Sequence, residues 1–296
     1  MKKYLRELES ELAEAGVRGR AARRALEEAR DHLAELGEGG EARFGPPREI
    51  ALETAAVLAT SLTRRAALQA FGALALAGPG YLVLMAVVAR QGWPDIAAGR
   101  VTALGVIAAL GIVFLPQLAF VAGCLTALRA LRLPRPAPDA QLRLLRRRAG
   151  VALVAGAGTL AAWALWGVQF GAELTAGWPG PTIVVLATVL MLPLGAAGLA
   201  VRAATHPRPL PGGEPGDMFD DLAPFIARTP LRSLDLRAHP WGVAFGVAVA
   251  VGLVATAVGW IDEGTPSGGL AQGFPEAVLV LGFFAAFGRT LGLRSG

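Results

Sequence analysis

Six long apolar runs dominate this sequence and limit the folds that it can adopt. They lie at about Ala66–Ala89, Val101–Leu128, Ala149–Phe170, Thr182–Val201, Trp241–Ile261 and Glu276–Phe287. A helix needs roughly 20 apolar residues to cross a ~30 Å hydrocarbon core, and the first five runs are long enough. The sixth is short, but from Ala277 to Leu293 only Arg289 interrupts the apolar sequence, and its charge can extend to the interface. We therefore predict an all-α chain with six membrane-spanning helices in residues 63–296.

Arginine is concentrated in particular connections between these runs, and this predicts an orientation. The connection over residues 129–148, predicted as a loop, contains a basic cluster of Arg143, Arg146, Arg147 and Arg148. The connections between runs three and four and between runs five and six contain no Lys or Arg. The positive-inside rule then places the N-terminus, the loops 129–148 and 202–240 and the C-terminus in the cytoplasm. The arginine cluster could also contact anionic lipid, although topology alone explains it.

The membrane is predicted to be a bacterial cytoplasmic membrane. The sequence favours Ala, Gly, Leu and Arg and has no lysine beyond Lys3, a bias typical of a GC-rich bacterial genome. The N-terminus begins with a charged helical pattern instead of an apolar h-region, which predicts no cleavable signal peptide. The first spanning helix would then be the insertion signal.

A charged head, residues 1–62, precedes the apolar runs. Apolar residues recur at helical spacing from Tyr4 to Ala15 and again from Ala21 to Leu36, and Gly16 is a predicted C-cap. A third helix is predicted to begin at Pro47 and to continue toward the membrane without a flexible linker. Short amphipathic helices are marginal alone, so we expect the three apolar stripes to pack together. The acids and bases of the head nearly cancel, which argues against direct binding of nucleic acid.

The head resembles the HAAS family of bacterial signalling domains, also known as DUF1700 or permease-prefix domains. The residues that carry the resemblance, and that we take as its candidate interaction motif, are Tyr4, Leu8, His32, Phe44, Gly45, Pro47, Glu49 and Ile50. The resemblance implies a short helical head before several membrane helices, with no catalytic residues. It also implies a protein partner, because members of the family are often encoded beside PadR-type transcriptional regulators.

Polar residues inside the apolar runs are few. Gln117, next to Pro116, is the deepest of them, and Glu173 lies at the outer end of the third run, where it is expected to reach the interface. Pro79, Pro116 and Pro193 interrupt runs one, two and four. Such prolines mark binding sites in some transporters and are also common in ordinary membrane helices.

No motif for catalysis or metal binding is present in the sequence. The three histidines are scattered without ligand spacing, and the single cysteine, Cys124, lies in an apolar run. We expect no enzyme activity, no metal and no cofactor. The adjacent acids Asp220 and Asp221 are interpreted as a solvated cap of a short amphipathic helix that begins near Asp217.

An internal repeat is a further hypothesis. Three similar triplets are predicted in outer turns, each with a proline that opens the returning helix: Gly92-Trp93-Pro94, Gly177-Trp178-Pro179 and Gly273-Phe274-Pro275. They would make the spanning region three helical hairpins. The alternative is convergence, because any short outer turn favours these residues.

Two functions are compatible with this organisation. The preferred one is a multi-pass signalling or regulatory protein of the inner membrane, whose head binds a cytoplasmic protein. The alternative is a transporter or permease subunit with a regulatory head, for which the partner would be a component of the ATP-binding cassette type. Almost no charge lies inside the runs, which disfavours ion coupling. The sequence leaves the oligomeric state and the signal open.

Overall fold

The computed structural model describes residues 1–37, 39–91, 102–170, 179–204, 206–228 and 239–291. Within them the regular structure is helical, apart from one isolated β-bridge between Pro138 and Leu210. The helices are α1 (Lys2–Glu14), α2 (Arg20–Leu36), α3 (Gly40–Phe44), α4 (Pro47–Gln91), α5 (Ala103–Arg132), α6 (Asp139–Phe170), α7 (Pro179–Ala203), α8 (Met218–Ile226), α9 (Pro240–Glu263) and α10 (Pro266–Leu291). The predicted all-α fold is confirmed. The chain divides into two compact units, residues 1–215 and 216–296.

The head comprises α1, α2, α3 and the first turns of α4, which pack around one small apolar core. Its buried residues come from α1, the α1–α2 connection, α2 and α4: Tyr4, Leu8, Leu12, Ala15, Val17, Ala29, Leu33, Ala51 and Ala55. Helix α1 ends as its sequence predicts, because Gly16 has a left-handed φ of +82°. The Val17 N–H donates to the Leu12 carbonyl at 2.8 Å, which completes a Schellman-type C-cap. The one-turn helix α3 lies where the sequence predicts only a turn.

Helix α4 joins the head to the membrane region without interruption. It contains 45 residues, which corresponds to a length of roughly 68 Å at 1.5 Å per residue. It begins at Pro47, where the missing N–H of a proline costs no hydrogen bond. The predicted domain boundary at residue 62 therefore falls inside a continuous helix.

Helices α4, α5, α6 and α7 form a bundle in which α6 contacts the other three. Its core contains the large residues Trp163, Trp166 and Phe170 of α6, which are fully buried. Small residues allow the neighbours to approach: a Cβ on Gly167 would lie 2.9 Å from the Gly180 carbonyl oxygen of α7. The bundle thus combines a few large side chains with close packing at glycine.

The connection between α5 and α6 is shorter than predicted. Only residues 133–138 lie outside a helix, because α5 extends to Arg132 and α6 begins at Asp139. The predicted loop cluster Arg143, Arg146, Arg147 and Arg148 therefore belongs to the first turns of α6.

The second unit contains α8, α9 and α10. Asp217 and Asp220 cap α8 reciprocally, since each backbone N–H donates to the carboxylate of the other, at 2.8 and 2.9 Å. Asp221 is 1 % exposed, so its interpretation as a solvated acid is wrong. Helix α8 is short, as Pro224 predicts.

Helices α9 and α10 form a closely packed hairpin. A Cβ on Gly273 would lie 2.4 Å from the Gly252 carbonyl oxygen and 1.9 Å from the Thr256 hydroxyl oxygen. The Gly273-Phe274-Pro275 triplet lies inside α10 and not in an outer turn, so that prediction is wrong; Pro266 opens the helix instead. Residues 92–94 and 177–178 of the other triplets lie outside the described residues. The six helices α4, α5, α6, α7, α9 and α10 are long and apolar enough to cross a membrane, which indicates a multi-pass membrane protein.

Candidate interaction surface on the head

A groove of about 500 Å³ runs along the head between α2 and α4. Leu8 and Leu12 of α1 form its floor together with Ala29 of α2, and all three are buried. Ile50 and Thr54 of α4 form one wall. The groove exists because α1 contacts both α2 and α4, while α2 makes its main contacts with α1 and α3. An apolar floor between two helices is a shape that accepts a third helix.

The rim of the groove on α2 is polar and acidic. Glu28, Asp31 and His32 line it, and all three are exposed. His32 Nδ1 lies 3.6 Å from the Glu35 carboxylate, so a protonated His32 would form an ion pair there. A partner with an apolar stripe and flanking basic residues would complement this surface.

Phe44 lines the groove, and Gly45 follows it in the turn that leads into α4. The Phe44 ring meets the Tyr4 ring edge-on, with centroids 6.0 Å apart, and meets the His32 ring at 6.1 Å. The Tyr4 hydroxyl donates to the Gly45 carbonyl at 2.7 Å, and Gly45 has a φ of +100° that favours glycine. Tyr4 therefore fixes the turn that leads into α4.

The environment of Tyr4 favours its neutral form. Burial raises the pKa of the phenol above its ordinary value, and the nearby carboxylates of Glu41 and Glu7 raise it further. The neutral O–H is the form that can donate to Gly45. Met1 also contributes to this corner, because its ammonium group pairs with Glu41.

The candidate motif therefore separates into two groups. Leu8, His32, Phe44 and Ile50 line the groove. The others hold the head in shape: Tyr4 and Gly45 through their hydrogen bond, and Pro47 and Glu49 in the first turn of α4, where an acid is favourable at a helix N-terminus. Sequence spacing alone does not separate the two groups, because both fall on helix ends and apolar stripes.

Comparison with known families agrees with this geometry. Residues 3–53 match the model of the HAAS family, and this range ends one residue before the groove wall at Thr54. The head is a HAAS domain. No curated protein and no solved structure matches the chain.

The HAAS domain is attached to the bundle by more than α4. Residues 206–213, which we call the strap, follow α7 and return to the head, where the Arg208 N–H donates to the Ala15 carbonyl at 3.1 Å. The strap also contacts the start of α6, since the Asp139 N–H donates to the Leu210 carbonyl at 2.8 Å. It passes so close to α1 that a Cβ on Gly16 would lie 2.6 Å from the His206 carbonyl oxygen. The sequence predicts only a spacer over these residues, because a pattern rich in proline and glycine does not indicate which segment it contacts.

A second attachment joins α4 to the α5–α6 connection. The Thr60 hydroxyl donates to the Ala56 carbonyl at 2.8 Å and accepts from the Ala137 N–H at 2.9 Å. Apolar residues surround this bond in a cluster of Ala59, Ala67, Ala130, Leu133, Ala137, Leu142 and Leu145. The HAAS domain, the strap and the α5–α6 connection therefore form one connected end of the first unit.

The remaining candidate residues lie away from the groove. Arg143 and Arg147 of α6 are exposed and Arg146 is partly buried, whereas Arg148 is fully buried and so cannot belong to a lipid-facing cluster. Arg143 pairs with Asp139. Gln117 is exposed on α5, and Glu173 lies outside the described residues. Within the described ranges no three His, Cys, Asp or Glu side chains are grouped so that they could hold a metal ion, and the expectation of no metal or cofactor stays a prediction.

Proposed function

We propose that this chain is a signalling protein of the bacterial inner membrane, whose HAAS domain binds a cytoplasmic protein partner in the groove between α2 and α4. The observation that carries the proposal is the groove itself, whose floor is apolar and whose rim carries Glu28 and Asp31. A partner helix with an apolar stripe and basic flanks fits these properties. The cytoplasmic side follows from the arginine distribution and the positive-inside rule.

The partner we favour is a transcriptional regulator of the PadR type. This choice rests on the family, whose members are often encoded beside such regulators, and on the nearly balanced charge of the head, which suits a protein partner better than DNA. We assign no catalytic step to the chain. Its role is to make groove access depend on the state of the membrane region.

The attachments of the head supply a route for that dependence. Helix α4 passes from the groove wall at Thr54 into the spanning bundle without a break. The strap connects α7 and the start of α6 to the C-terminus of α1. A rearrangement of α4 against α7 would therefore change the position of α1, which forms the groove floor, relative to the wall at Ile50 and Thr54.

Site-specific photocrosslinking in the full-length chain tests the proposal. A photoreactive amino acid at Thr54, inside the groove, is compared with the same amino acid at the neighbouring Glu53, which is exposed and outside it. We expect one protein to be crosslinked in cells from Thr54 and not from Glu53, and mass spectrometry to identify it as a DNA-binding regulator.

A blocking variant provides the matched control. Ala25→Trp fills the groove from α2, whereas Ala13→Trp places the same ring on an exposed position of α1. Crosslinking from Thr54 should disappear in the first variant and persist in the second, with a parallel change in the transcripts that the regulator controls. Equal crosslinking from Thr54 and Glu53, or no effect of Ala25→Trp, would contradict the proposal.

A transporter with a regulatory head is the second candidate. It is favoured by prolines inside α4, α5 and α7, at Pro79, Pro116 and Pro193, because such prolines free backbone carbonyls that can line a binding site. The same crosslinking experiment distinguishes the two functions. Capture of an ATP-hydrolysing subunit from Thr54 would favour transport.

A further inference from the structure

The spanning bundle contains a second groove, which is separate from the HAAS domain. It lies between α4, α5 and α6 and has a volume of about 740 Å³, within the range of roughly 300–1,000 Å³ that small-molecule sites occupy. Its lining includes two prolines inside helices, Pro79 of α4 and Pro116 of α5. Leu82 and Phe120 at its edges are 66 % and 72 % exposed, so the groove opens sideways toward lipid.

Gln117 places a polar group at this lateral opening. It lies near the middle of α5, 14 residues from Ala103 and 15 residues from Arg132, which is the depth of the hydrocarbon core. Its side chain is exposed, and among the described residues no hydrogen bond to its amide is present. An amide without a partner in hydrocarbon is unfavourable, because no water is available to replace the lost hydrogen bonds.

A second polar group belongs to the wall of the same groove. Pro79 has no N–H, so the carbonyl of Ala75, four residues earlier, lacks its helical hydrogen-bond donor. Ala75 lines the groove together with Gln117. The rest of the lining is mainly apolar, apart from Tyr81, Cys124 and Thr159, whose hydroxyl already donates to the Ala155 carbonyl at 2.9 Å.

We propose that this groove binds a lipid-soluble alcohol, a molecule with an apolar body and a single hydroxyl group at the depth of Gln117. A hydroxyl both donates and accepts hydrogen bonds, so it suits a groove whose lining offers the Ala75 carbonyl, an acceptor, and the Gln117 amide, which donates and accepts. The apolar body fills the space beside Pro79 and Pro116. The assignment goes beyond the signalling role and does not depend on it.

Other occupants fit the groove less well. A phospholipid acyl chain fills the apolar space but carries no hydrogen-bonding group at the middle of the bilayer. A second copy of this chain could pair its own Gln117 with this one, as polar residues do between membrane helices. A convex helix would, however, leave the recess beside Gly78 empty, since a Cβ at Gly78 meets no atom within 4 Å.

The test uses the full-length protein in nanodiscs of phosphatidylethanolamine and phosphatidylglycerol. The probe is a photoactivatable secondary alcohol with its hydroxyl at mid-chain, compared with the ketone and the hydrocarbon of the same length. After illumination, mass spectrometry maps the labelled peptides, and unlabelled alcohol competes for the site. We expect saturable labelling of the segments around Pro79 and Gln117, with apparent affinity falling from alcohol to ketone to hydrocarbon.

Two variants separate the shape of the groove from its hydrogen bonds. Gly78→Leu fills the recess without meeting a neighbour at Cβ, and Gly72→Leu, also on α4 with open space at Cβ, is the control outside the groove. We expect labelling to fall about tenfold or more in Gly78→Leu and to remain in Gly72→Leu. Gln117→Leu should weaken alcohol binding by about 3- to 15-fold, the range measured for hydrogen bonds in membranes, and leave hydrocarbon binding unchanged.

Three results would overturn the proposal. The first is equal labelling of Gly78→Leu and Gly72→Leu. The second is equal affinity for alcohol and hydrocarbon in the wild-type protein. The third is disulfide formation between two copies through Gln117→Cys in a Cys124→Ala background, which would show that a second chain covers the groove. Because Gln117 is exposed, its leucine variant is expected to fold even if Gly78→Leu does not.

Discussion

The HAAS domain and the spanning helices solve the packing problem in opposite ways. In the head the large apolar residues are inside, with Leu8 and Leu12 at 1 % and 0 % exposure, and the charged residues cover the surface. In the bundle many large apolar residues, such as Phe120, are outside, and alanine and glycine occupy much of the helix contacts. The difference shows which solvent each region is built for. In water, burying a leucine is strongly favourable, whereas lipid is as apolar as leucine, so helices there gain mainly from close contact.

Both kinds of packing, burial from water in the head and close helix contact in the bundle, involve the single helix α4. Along α4, Ala51 and Ala55 pack into the head core, and further along Ala70 and Ala73 pack into the bundle. Between them Thr60 makes the polar contact with the α5–α6 connection. One continuous helix is therefore stabilised by burial from water at its N-terminal end and by close helix contact further along.

The largest expected effect is loss of a buried leucine from the head. Leu12→Ala removes a side chain from the centre of the core, which should destabilise the head by about 3–5 kcal/mol. Leu52→Ala is the control, because Leu52 is 40 % exposed on α4 and should cost under about 1 kcal/mol. The urea midpoint for cleavage of the head, measured by pulses of protease on the full-length protein in detergent, gives both values. Similar midpoints for the two variants would mean that burial from water does not hold the head together.

The next effect concerns close contact between spanning helices. Gly273→Ala inserts a methyl group against the backbone of α9, so we expect a loss of about 1–3 kcal/mol from overpacking. Gly282→Ala, on the same helix with open space at Cβ, should be neutral or slightly stabilising. Far-UV circular dichroism during unfolding in mixed micelles of SDS and a mild detergent measures the difference. If Gly273→Ala were as stable as Gly282→Ala, the α9–α10 contact would not depend on glycine.

Sequence patterns predict the features that follow from solvent and helix geometry. Apolar runs and helical spacing are local properties, so each of the six apolar runs falls in a long helix, and the C-cap at Gly16 and the helix start at Pro47 are found where predicted. Helix ends that are set by tertiary contacts are not predicted by these local patterns. The sequence predicts an outer turn at Gly273, but that glycine lies inside α10, where it allows close contact with α9. Both a turn and a close helix contact favour glycine, so the residue type does not distinguish them.

The grooves could not be predicted, for a related reason. The head groove depends on the separation of α2 from α4, and the bundle groove depends on how two proline-containing helices lean on α6. Gln117 and His32 are recognisable as unusual residues in the sequence, yet nothing local shows that each borders a cavity. The contacts of the strap are even harder to predict from the sequence, because its hydrogen bonds with Ala15 and Asp139 use backbone groups, which carry no residue-specific signal.

The contact between the head and the strap gives a third prediction. Gly16→Ala combines a left-handed φ with a close contact to the strap, whereas Gly39→Ala has nearly the same φ, +80°, and open space. The left-handed conformation alone should cost each variant about 1–2 kcal/mol. Only Gly16→Ala should displace the strap, so hydrogen exchange of the Arg208 amide, which donates to Ala15, should accelerate about tenfold or more. Unchanged exchange at Arg208 would show that the strap is not held by α1.

The smallest effect concerns the pH dependence of the head. The folded state holds the Tyr4 proton more tightly than the unfolded chain, because burial and then Glu41 and Glu7 raise the pKa of the phenol. Its contribution to stability is therefore complete below the unfolded pKa of about 10 and is lost as pH rises through the higher folded value.

Tyr4→Phe removes the hydrogen bond to Gly45, so it should cost about 1 kcal/mol at pH 8 and abolish this part of the pH dependence. The protease-pulse midpoint at pH 8 and at about pH 10.5 measures both effects, and the variant itself corrects for the lysines that titrate in the same range. The other tyrosine of the chain, Tyr81, lies in the spanning part of α4 and outside the head. Parallel losses of stability in the two proteins at high pH would show that the Tyr4 hydroxyl does not stabilise the turn into α4.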